Sequence, residues 1–188
     1  KHFAVHSGPE ADRHHFDVHP SKKDMAETYL PAFEAAVKEG NVESVMGAYN
    51  AVNGYPCCGS PELLQDYLRD QWGFQGHVVS DCWAIHDFHA NHQFTDTPAE
   101  SSAAALKAGT DLNCGCTYRC LITALAQKLI SEDDIRRAAV RLFTTRYLLG
   151  IMDGQQTEYD RIPYSVVECK EHVSAALEAA EKGIVLLK

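Results

Sequence analysis

The fold is decided by residues 72–81, which read WGFQGHVVSD. A glycine-containing turn leads into the short apolar run 77–80, and a carboxylate, Asp81, follows that run directly. Short apolar runs bounded by turn residues are typical of buried strands. Barrel enzymes place catalytic groups at the carboxyl ends of such strands. Because an Asp in this position can also cap a following helix, this feature alone leaves both roles open for Asp81.

Helical patterns alternate with short strand patterns on both sides of this stretch. Strands are predicted over residues 3–5, 44–48, 77–80 and 110–112. Helices are predicted over residues 24–38, 60–71, 97–109 and 131–149, where Ser-Pro, Thr-Pro-Ala-Glu and Ser-Glu-Asp-Asp provide start signals and glycines provide stops. Strand–helix alternation predicts an α/β fold with parallel strands joined by right-handed crossovers.

A barrel is favoured over an open sheet. No glycine-rich phosphate loop follows any strand, polar residues follow each strand, and a long His-rich loop, residues 6–23, follows the first. Four strands are half of a (β/α)8 TIM-like barrel. Residues 1–150 are therefore interpreted as the carboxyl-terminal half of a catalytic barrel domain. We expect Lys1-His2, Tyr49-Asn50, Asp81 and Asp111 to gather at one end of its strands.

The remaining residues suggest a domain boundary. Residues 151–164 contain Gly, Pro and Gln without an apolar period and are predicted to be a linker. Residues 165–188 are predicted to start a second α/β domain, with a helix over 165–182 followed by a truncated strand. Both ends of the sequence read as interior sequence, so we expect a fragment of a longer protein.

Composition excludes several classes of partner. The 188 residues are 45% hydrophobic and 23% charged, which suits a globular domain. A formal net charge of −9 argues against nucleic-acid binding, and no apolar run is long enough for a membrane span. The compartment stays open, with a periplasmic or extracellular location favoured over the cytoplasm.

Neither a metal nor another cofactor is predicted. The seven cysteines include Cys114, Cys116 and Cys120, whose spacing lacks the paired C-x2-C of a structural zinc site. Buried thiols or disulfides are favoured instead. The histidines at positions 14, 15 and 19 match no compact ligand set. A second polar cluster, residues 86–92, is predicted to be a mobile rim loop over the active site.

Taken together, the strand ends resemble glycoside hydrolase family 3. The resemblance lies in residues 1–3 (KHF), 45–54 (VMGAYNAVNG), 72–81, 108–113 (AGTDLN) and 180–188 (AEKGIVLLK). These stretches occur in order with natural spacing, and they cover nearly the whole chain.

The resemblance implies a retaining, exo-acting β-glycosidase that hydrolyses terminal non-reducing β-D-xylosyl or β-D-glucosyl residues of an oligosaccharide or β-glycoside. Asp81 matches the nucleophile, which attacks the anomeric carbon and forms a covalent glycosyl-enzyme. A carboxylic acid protonates the leaving oxygen and then activates water. In two-domain members this acid is a Glu of the second domain, which the missing remainder of the protein would supply.

The resemblance also assigns substrate contacts. Lys1 and His2 match positions that hold glycone hydroxyls. Tyr49 matches a residue that orients the nucleophile, and Met46 matches an apolar neighbour in the same pocket. Many glucosidases of the family have Trp directly after the nucleophile, whereas here Cys82 intervenes. This departure resembles the xylosidase branch.

Trp83, one residue further, has an aromatic face that could stack on the leaving group, and a core position is the other interpretation.

The loop after the first strand is open to three interpretations, the simplest of which is a solvated loop without a role in the site. Hydrogen bonding to the glycone is expected from Glu10, Arg13 or His14. Single-domain hexosaminidases of the family carry an Asp-x-His pair in this loop and use the His as acid/base. Asp12 and His14 have that spacing, although the flanking residues of the motif are absent. A β-N-acetylhexosaminidase is therefore the alternative enzyme. A non-catalytic carbohydrate-binding remnant is a third possibility, against which the retained Asp81 argues.

Overall fold

The structure is a computed structural model that describes residues 1–6, 8–152, 154 and 156–188. It divides into two compact units, Lys1–Arg146 and Tyr147–Lys188. The elements, in chain order, are β1 (Asp17–Val18), α1 (Lys22–Asp24), α2 (Pro31–Lys38), β2 (Ser44–Gly47), β3 (Ala51–Val52), β4 (Tyr55–Pro56), β5 (His77–Ser80), α3 (Ala84–Ala90), α4 (Pro98–Ala108), α5 (Leu121–Ala126), α6 (Glu132–Leu148) and α7 (Lys170–Gly183). Two π-helical segments, Met25–Tyr29 and Glu62–Gln71, and several 3-10 turns complete the described chain. None of the described helices is long and apolar enough to cross a membrane.

A parallel array lies at the centre of the first unit. β2 pairs with β5 in parallel. Phe3 forms a parallel bridge to Gly47, and Leu112 forms one to Val79. The four predicted strand regions therefore lie side by side in chain order, and their predicted parallel direction is confirmed. This arrangement is an α/β fold with parallel strands, in which the described residues form four neighbouring strand positions rather than a closed barrel.

Two of the four regions pair less than predicted. Residues 3–5 and 110–112 each contribute one bridge instead of a ladder. In the second case the reason is local, because the N–H groups of Asp111 and Leu112 both donate to the carbonyl of Val78, at 2.8 and 3.0 Å. One acceptor serving two successive donors interrupts the regular alternation of a strand.

A small second sheet, which the sequence analysis did not predict, anchors the His-rich loop. β1 pairs in parallel with β3, and β3 pairs antiparallel with β4. Asn53 and Gly54 connect β3 to β4 with φ values of 52° and 85°, as a tight hairpin turn requires. The Gly54 N–H donates to Asp17 Oδ1 at 3.0 Å. The end of the loop is thereby tied to the chain that follows β2.

The predicted start and end of a helix are confirmed at α4, whereas other predicted helices differ from the structure. Thr97 and Glu100 form the predicted capping box of α4, and Gly109 ends it with a φ of 115°. The single helix predicted over 24–38 is instead interrupted before Pro31, which lacks the N–H that a continuous helix needs. The helix predicted over 60–71 is present but mostly π-helical.

Residues 86–92 are not the mobile rim loop that was predicted. Most of them belong to α3, which begins after Trp83. Ile85 and Phe88 of this helix are fully buried. Their burial escaped the sequence analysis because the polar residues between them obscured the apolar face.

The main core fills one side of the parallel array. Val45 and Val78 are partners in register and belong to one buried cluster with Phe3, Leu64 and Leu68. Leu64 and Leu68 lie one turn apart in the π-helical segment and are fully buried. Burial of side chains of this size contributes about 1.5–3 kcal/mol each.

The second unit contains two 3-10 turns and α7. The helix begins at Lys170 rather than near residue 165. Residues 184–188, for which a strand was predicted, are exposed and form no strand, since the described part of this unit contains no strand to pair with. Asp153 and Gln155 of the predicted linker, and Ser7 of the His-rich loop, lie outside the described residues. The division of the chain into linker and second domain stays a prediction.

Candidate active site

Asp81 lies at the carboxyl end of β5. Its N–H donates to the Gly47 carbonyl at 3.0 Å, so the backbone follows the direction of the strand up to this residue. Its Oδ1 accepts the Cys82 N–H at 2.8 Å, and its Oδ2 lies 3.3 Å from His2 Nε2. The side chain is 14% exposed. The carboxylate is therefore held from two sides and remains open on a third.

His2 is brought to Asp81 by the bridge between Phe3 and β2. The Phe3 N–H donates to the Met46 carbonyl, and the Ala48 N–H donates to the Phe3 carbonyl, both at 2.8 Å. Partial burial lowers the pKa of His2, while the Asp81 carboxylate opposes that change. A neutral His2 must carry its proton on Nε2 to donate to the carboxylate, which can only accept.

Tyr49 follows β2 and forms another wall of the site. Burial raises the pKa of Tyr49, and the charge of the nearby Asp81 carboxylate raises it further. The phenol therefore stays protonated near neutral pH and can donate to Asp81. His92 Nε2 contacts the Tyr49 carbonyl at 2.8 Å, so the chain after α3 also holds this residue.

The His-rich loop places Arg13 and His14 against Tyr49. The Arg13 guanidinium lies 5.3 Å from the centroid of the Tyr49 ring, and the His14 ring centroid lies 4.3 Å from it. Arg13 Nη1 is 2.9 Å from Glu10 Oε1. His14 Nδ1 is 2.7 Å from Asp87 Oδ2. His2, Arg13, His14, Tyr49 and Asp81 thus form one cluster at the carboxyl end of the parallel array.

Other predicted site residues lie further from the carboxylate or lack side-chain contacts to it. Lys1 is exposed beside His2. Met46 is half-buried in β2, in register with Val79. Trp83 has a φ of 70° and is 50% exposed, which contradicts a core position for it. Glu10 contacts Arg13 rather than an open part of the site.

The prediction that Asp111 joins Asp81 is wrong. The Asp111 side chain is 1% exposed and contacts Arg69 Nη2 at 2.9 Å and Arg141 Nη1 at 3.2 Å. It also accepts the Val78 N–H at 2.9 Å, which places it beside the beginning of β5. Burial raises the pKa of Asp111, and the hydrogen bond from Val78 and the two arginines oppose that change. Asp111 therefore joins helices to the array and takes no part in the site.

Three further polar residues lie at this end of the array: Asn50 was expected there without an assigned role, and His6 and Asp87 were assigned only to loops. Asn50 is fully buried and donates to the carbonyls of Ala4 and Ala51, both at 3.2 Å. His6 Nδ1 lies 3.1 Å from Asn50 Oδ1. Asp87 is the buried partner of His14. A carboxylate between apolar helix positions was the available signal for Asp87, because such a group needs partners.

A disulfide also lies at this end of the array. Cys82 and Cys114 are bonded, and each follows the end of one of two neighbouring strand regions. The Trp83 N–H donates to the Cys114 carbonyl at 2.8 Å, and the Cys114 N–H donates to Ser80 Oγ at 3.0 Å. The matching positions of the two cysteines, each two residues after a strand end, were a signal that the sequence analysis did not use.

Comparisons with known proteins agree with this geometry. Residues 1–146 match the Glycosyl hydrolase family 3 N terminal domain. A xylan 1,4-beta-xylosidase from Xylanibacter ruminicola is 43% identical over 192 aligned residues, which cover all of this chain and 22% of that protein. The chain thus spans about a quarter of the length of such relatives.

Solved structures give the same result. A GH3 exo-beta-xylosidase in complex with a xylobiose aziridine activity-based probe superimposes with a TM-score of 0.92 at 35% identity, covering 100% of this chain and 25% of that one. A beta-glucosidase from Listeria innocua superimposes with a TM-score of 0.81 at 27% identity, covering 95% and 25%. The protein therefore belongs to glycoside hydrolase family 3.

Proposed function

We propose that this chain supplies the nucleophile and part of the glycone-binding wall of a retaining, exo-acting β-glycosidase. In this proposal Asp81 attacks the anomeric carbon of a terminal non-reducing β-D-xylosyl or β-D-glucosyl residue and forms a covalent glycosyl-enzyme. The observation that carries the proposal is the Asp81 carboxylate itself. It lies at the carboxyl end of a parallel strand, partly exposed, where it accepts the Cys82 N–H and lies 3.3 Å from His2 Nε2.

The contacts of Asp81 suit a nucleophile. The Cys82 N–H on Oδ1 and the His2 ring beside Oδ2 fix the orientation of the carboxylate. Attack turns one oxygen into an ester oxygen and removes the negative charge. The donors also limit rotation of the carboxylate, so its open side faces the sugar when the bond forms.

A second carboxyl group is needed about 5–5.5 Å from the first to protonate the leaving oxygen. Asp87 is unsuited to this step because its side chain is 3% exposed and contacts His14 and Asn91. Glu10 is exposed and paired with Arg13. The proposed acid/base is therefore a Glu from the part of a full-length family member that this chain does not contain.

Xylosides are the favoured substrate class within the proposal. The relative from Xylanibacter ruminicola is named a xylosidase, and the structure with the TM-score of 0.92 is that of an exo-xylosidase. Cys82 directly after the nucleophile supports the same choice, as the resemblance to the xylosidase branch implied.

The contacts of His14 count against the hexosaminidase alternative. Both ring nitrogens have partners, Nδ1 with Asp87 at 2.7 Å and Nε2 with Arg13 Nε at 3.3 Å. Asp12, the partner that this alternative requires, is exposed, and among the described residues its hydrogen bonds are those of its backbone. An acid/base residue needs a nitrogen free to reach the leaving oxygen. His14 is therefore better placed to line the site than to act as its acid/base residue.

The test uses an enzyme of full family length that carries this chain. A 2-fluoro-xyloside with a good leaving group should inactivate it, and peptide mass spectrometry should find the label on Asp81. The Asp81→Asn variant is the matched control and should remain unlabelled. A label recovered on another carboxylate would refute the assignment. Binding of xylobiose without any turnover of aryl β-xylosides would favour the non-catalytic alternative.

A further inference from the structure

We infer that Asp87 is a positioning residue for glycone recognition, acting through His14 to hold the Arg13 guanidinium against Tyr49 beside the nucleophile. The inference rests on the proposed function and extends it to a residue outside the direct surroundings of Asp81. Three consecutive contacts carry it: Asp87 to His14, His14 to Arg13, and Arg13 to the ring of Tyr49.

Asp87 is a buried carboxylate with a partner on each oxygen. Its side chain is 3% exposed, and α3 presents it between the buried residues Ile85 and Phe88. Oδ2 contacts His14 Nδ1 at 2.7 Å, and Oδ1 accepts from Asn91 Nδ2 at 2.6 Å. Burying a carboxylate is costly unless hydrogen bonds compensate, so these contacts define its orientation.

The carboxylate determines which nitrogen of His14 carries the proton. An ionised carboxylate can only accept, so His14 Nδ1 donates to Asp87. In a neutral ring Nε2 is then an acceptor, and the Arg13 Nε–H donates to it at 3.3 Å. In the other neutral form the proton would lie on Nε2, where it would face the Arg13 Nε–H, and Nδ1 would have no proton to donate to Asp87.

Arg13 connects the contacts of Asp87 and His14 to the site. Its Nη1 contacts Glu10 at 2.9 Å, and its guanidinium lies 5.3 Å from the Tyr49 ring centroid. With Nε and Nη1 engaged, the guanidinium still has N–H donors for sugar hydroxyls. A fixed guanidinium plane aims these donors in fixed directions, which is what recognition of neighbouring hydroxyls on one glycone requires.

The decisive variant is Asp87→Asn in the full-length enzyme. The amide oxygen can still accept from Asn91, but its NH2 then faces His14 Nδ1. His14 must move its proton to Nε2, which brings a second donor against the Arg13 Nε–H. Arg13 then loses the hydrogen bond from its Nε–H to His14. We expect KM for an aryl β-xyloside to rise about tenfold and kcat to change much less, because the lost contact binds the glycone equally in the ground state and the transition state.

A double-mutant cycle with Arg13→Gln separates positioning from a merely structural role. If Asp87 acts through Arg13, Asp87→Asn should have little further effect on KM in the Arg13→Gln background. Asp133→Asn is the matched control, because it alters the exposed pair of Asp133 with Arg136, at 3.7 Å, and should leave KM unchanged. An unchanged KM for Asp87→Asn, or fully additive effects, would overturn the inference.

A second variant covers the case in which Asp87→Asn does not fold. His14→Gln changes a side chain that is 33% exposed and removes the same connection. It should raise KM to a similar extent and should also be non-additive with Arg13→Gln, and additivity would again overturn the inference. Labelling of Asp81 in the unaltered enzyme reports separately on the proposed function, so the two failures are distinguishable.

Discussion

The two ends of the parallel array use carboxylates in opposite ways. At the carboxyl end, Asp81 is 14% exposed and contacts a peptide N–H and the ring of His2. At the other end, Asp111 is 1% exposed and contacts two arginines and a peptide N–H. The sequence presents both as an Asp beside a short apolar run. The partners of each carboxylate, rather than its residue type, determine whether it belongs to the site or joins structural elements.

The amino-terminal end has a second polar network. Thr145 Oγ1 donates to Glu43 Oε1 at 2.6 Å and lies 2.9 Å from His77 Nδ1. This joins α6 to the start of β5 and to the residue before β2. Barrel enzymes use this end for stability and the opposite end for catalysis. The contrast between Asp81 and Asp111 follows that division, and mutations can test it in an enzyme of full family length.

The largest effect is expected for Asp81→Asn. The amide cannot act as a nucleophile towards the anomeric carbon, so kcat for an aryl β-xyloside should fall by at least about 10⁴-fold. Because the side chain is partly exposed, the unfolding midpoint should change little. Initial rates and thermal unfolding measure the two quantities. Activity above one per cent of the unaltered enzyme's rate, a threshold of about 10²-fold loss, would contradict the assignment.

Asp111→Ala should give the reverse pattern. It leaves Arg69, whose side chain is 7% exposed, without its carboxylate, and removing one partner of a buried pair costs about 3–5 kcal/mol. Denaturant unfolding should show this loss, while kcat/KM per folded molecule stays near the original value. Asp133→Ala is the control, since its contact to Arg136, at 3.7 Å, is exposed and contributes about 0–1 kcal/mol.

The sequence predicted the parallel array because its strand runs and capping signals were local. Thr97 and Glu100 cap α4 as expected, and Gly109 ends it. The roles of Asp111 and Asp87 were not predictable in this way, because they depend on Arg69, Arg141 and His14, which lie 30 to 73 positions away in the chain. The alternation of strands and helices specifies the direction and the order of the strands. The partners of a side chain depend instead on how the helices pack.

The disulfide adds a covalent link at the end where Asp81 lies. Replacing both Cys82 and Cys114 by Ser opens a loop with a sequence separation of 32, so we expect a loss of about 2–4 kcal/mol in unfolding free energy. We also expect kcat to fall several-fold, on the order of 1 kcal/mol, because the Cys82 N–H holds Asp81 Oδ1.

Cys116→Ser is the control for the disulfide, because Cys116 is a free and exposed thiol. Its stability and kcat should match those of the unaltered enzyme. If the double Ser variant were equally unchanged, the disulfide would play no part in holding the carboxyl end of the array.

The smallest expected effect is that of metal removal. Within the part of the chain that the structure describes, no three His, Cys, Asp or Glu side chains gather as a metal site would require. Histidines of the two polar clusters have other partners: His14 contacts Asp87, His89 Nδ1 contacts Ser101 Oγ at 2.8 Å, and His92 contacts the Tyr49 carbonyl. Since the proposed chemistry needs only two carboxyl groups, overnight chelation followed by desalting should leave kcat and KM unchanged. A clear loss of activity that zinc or calcium restores would show that the carboxyl end of the array holds a metal, and that the hydrogen bonds now assigned to these histidines form only in its absence.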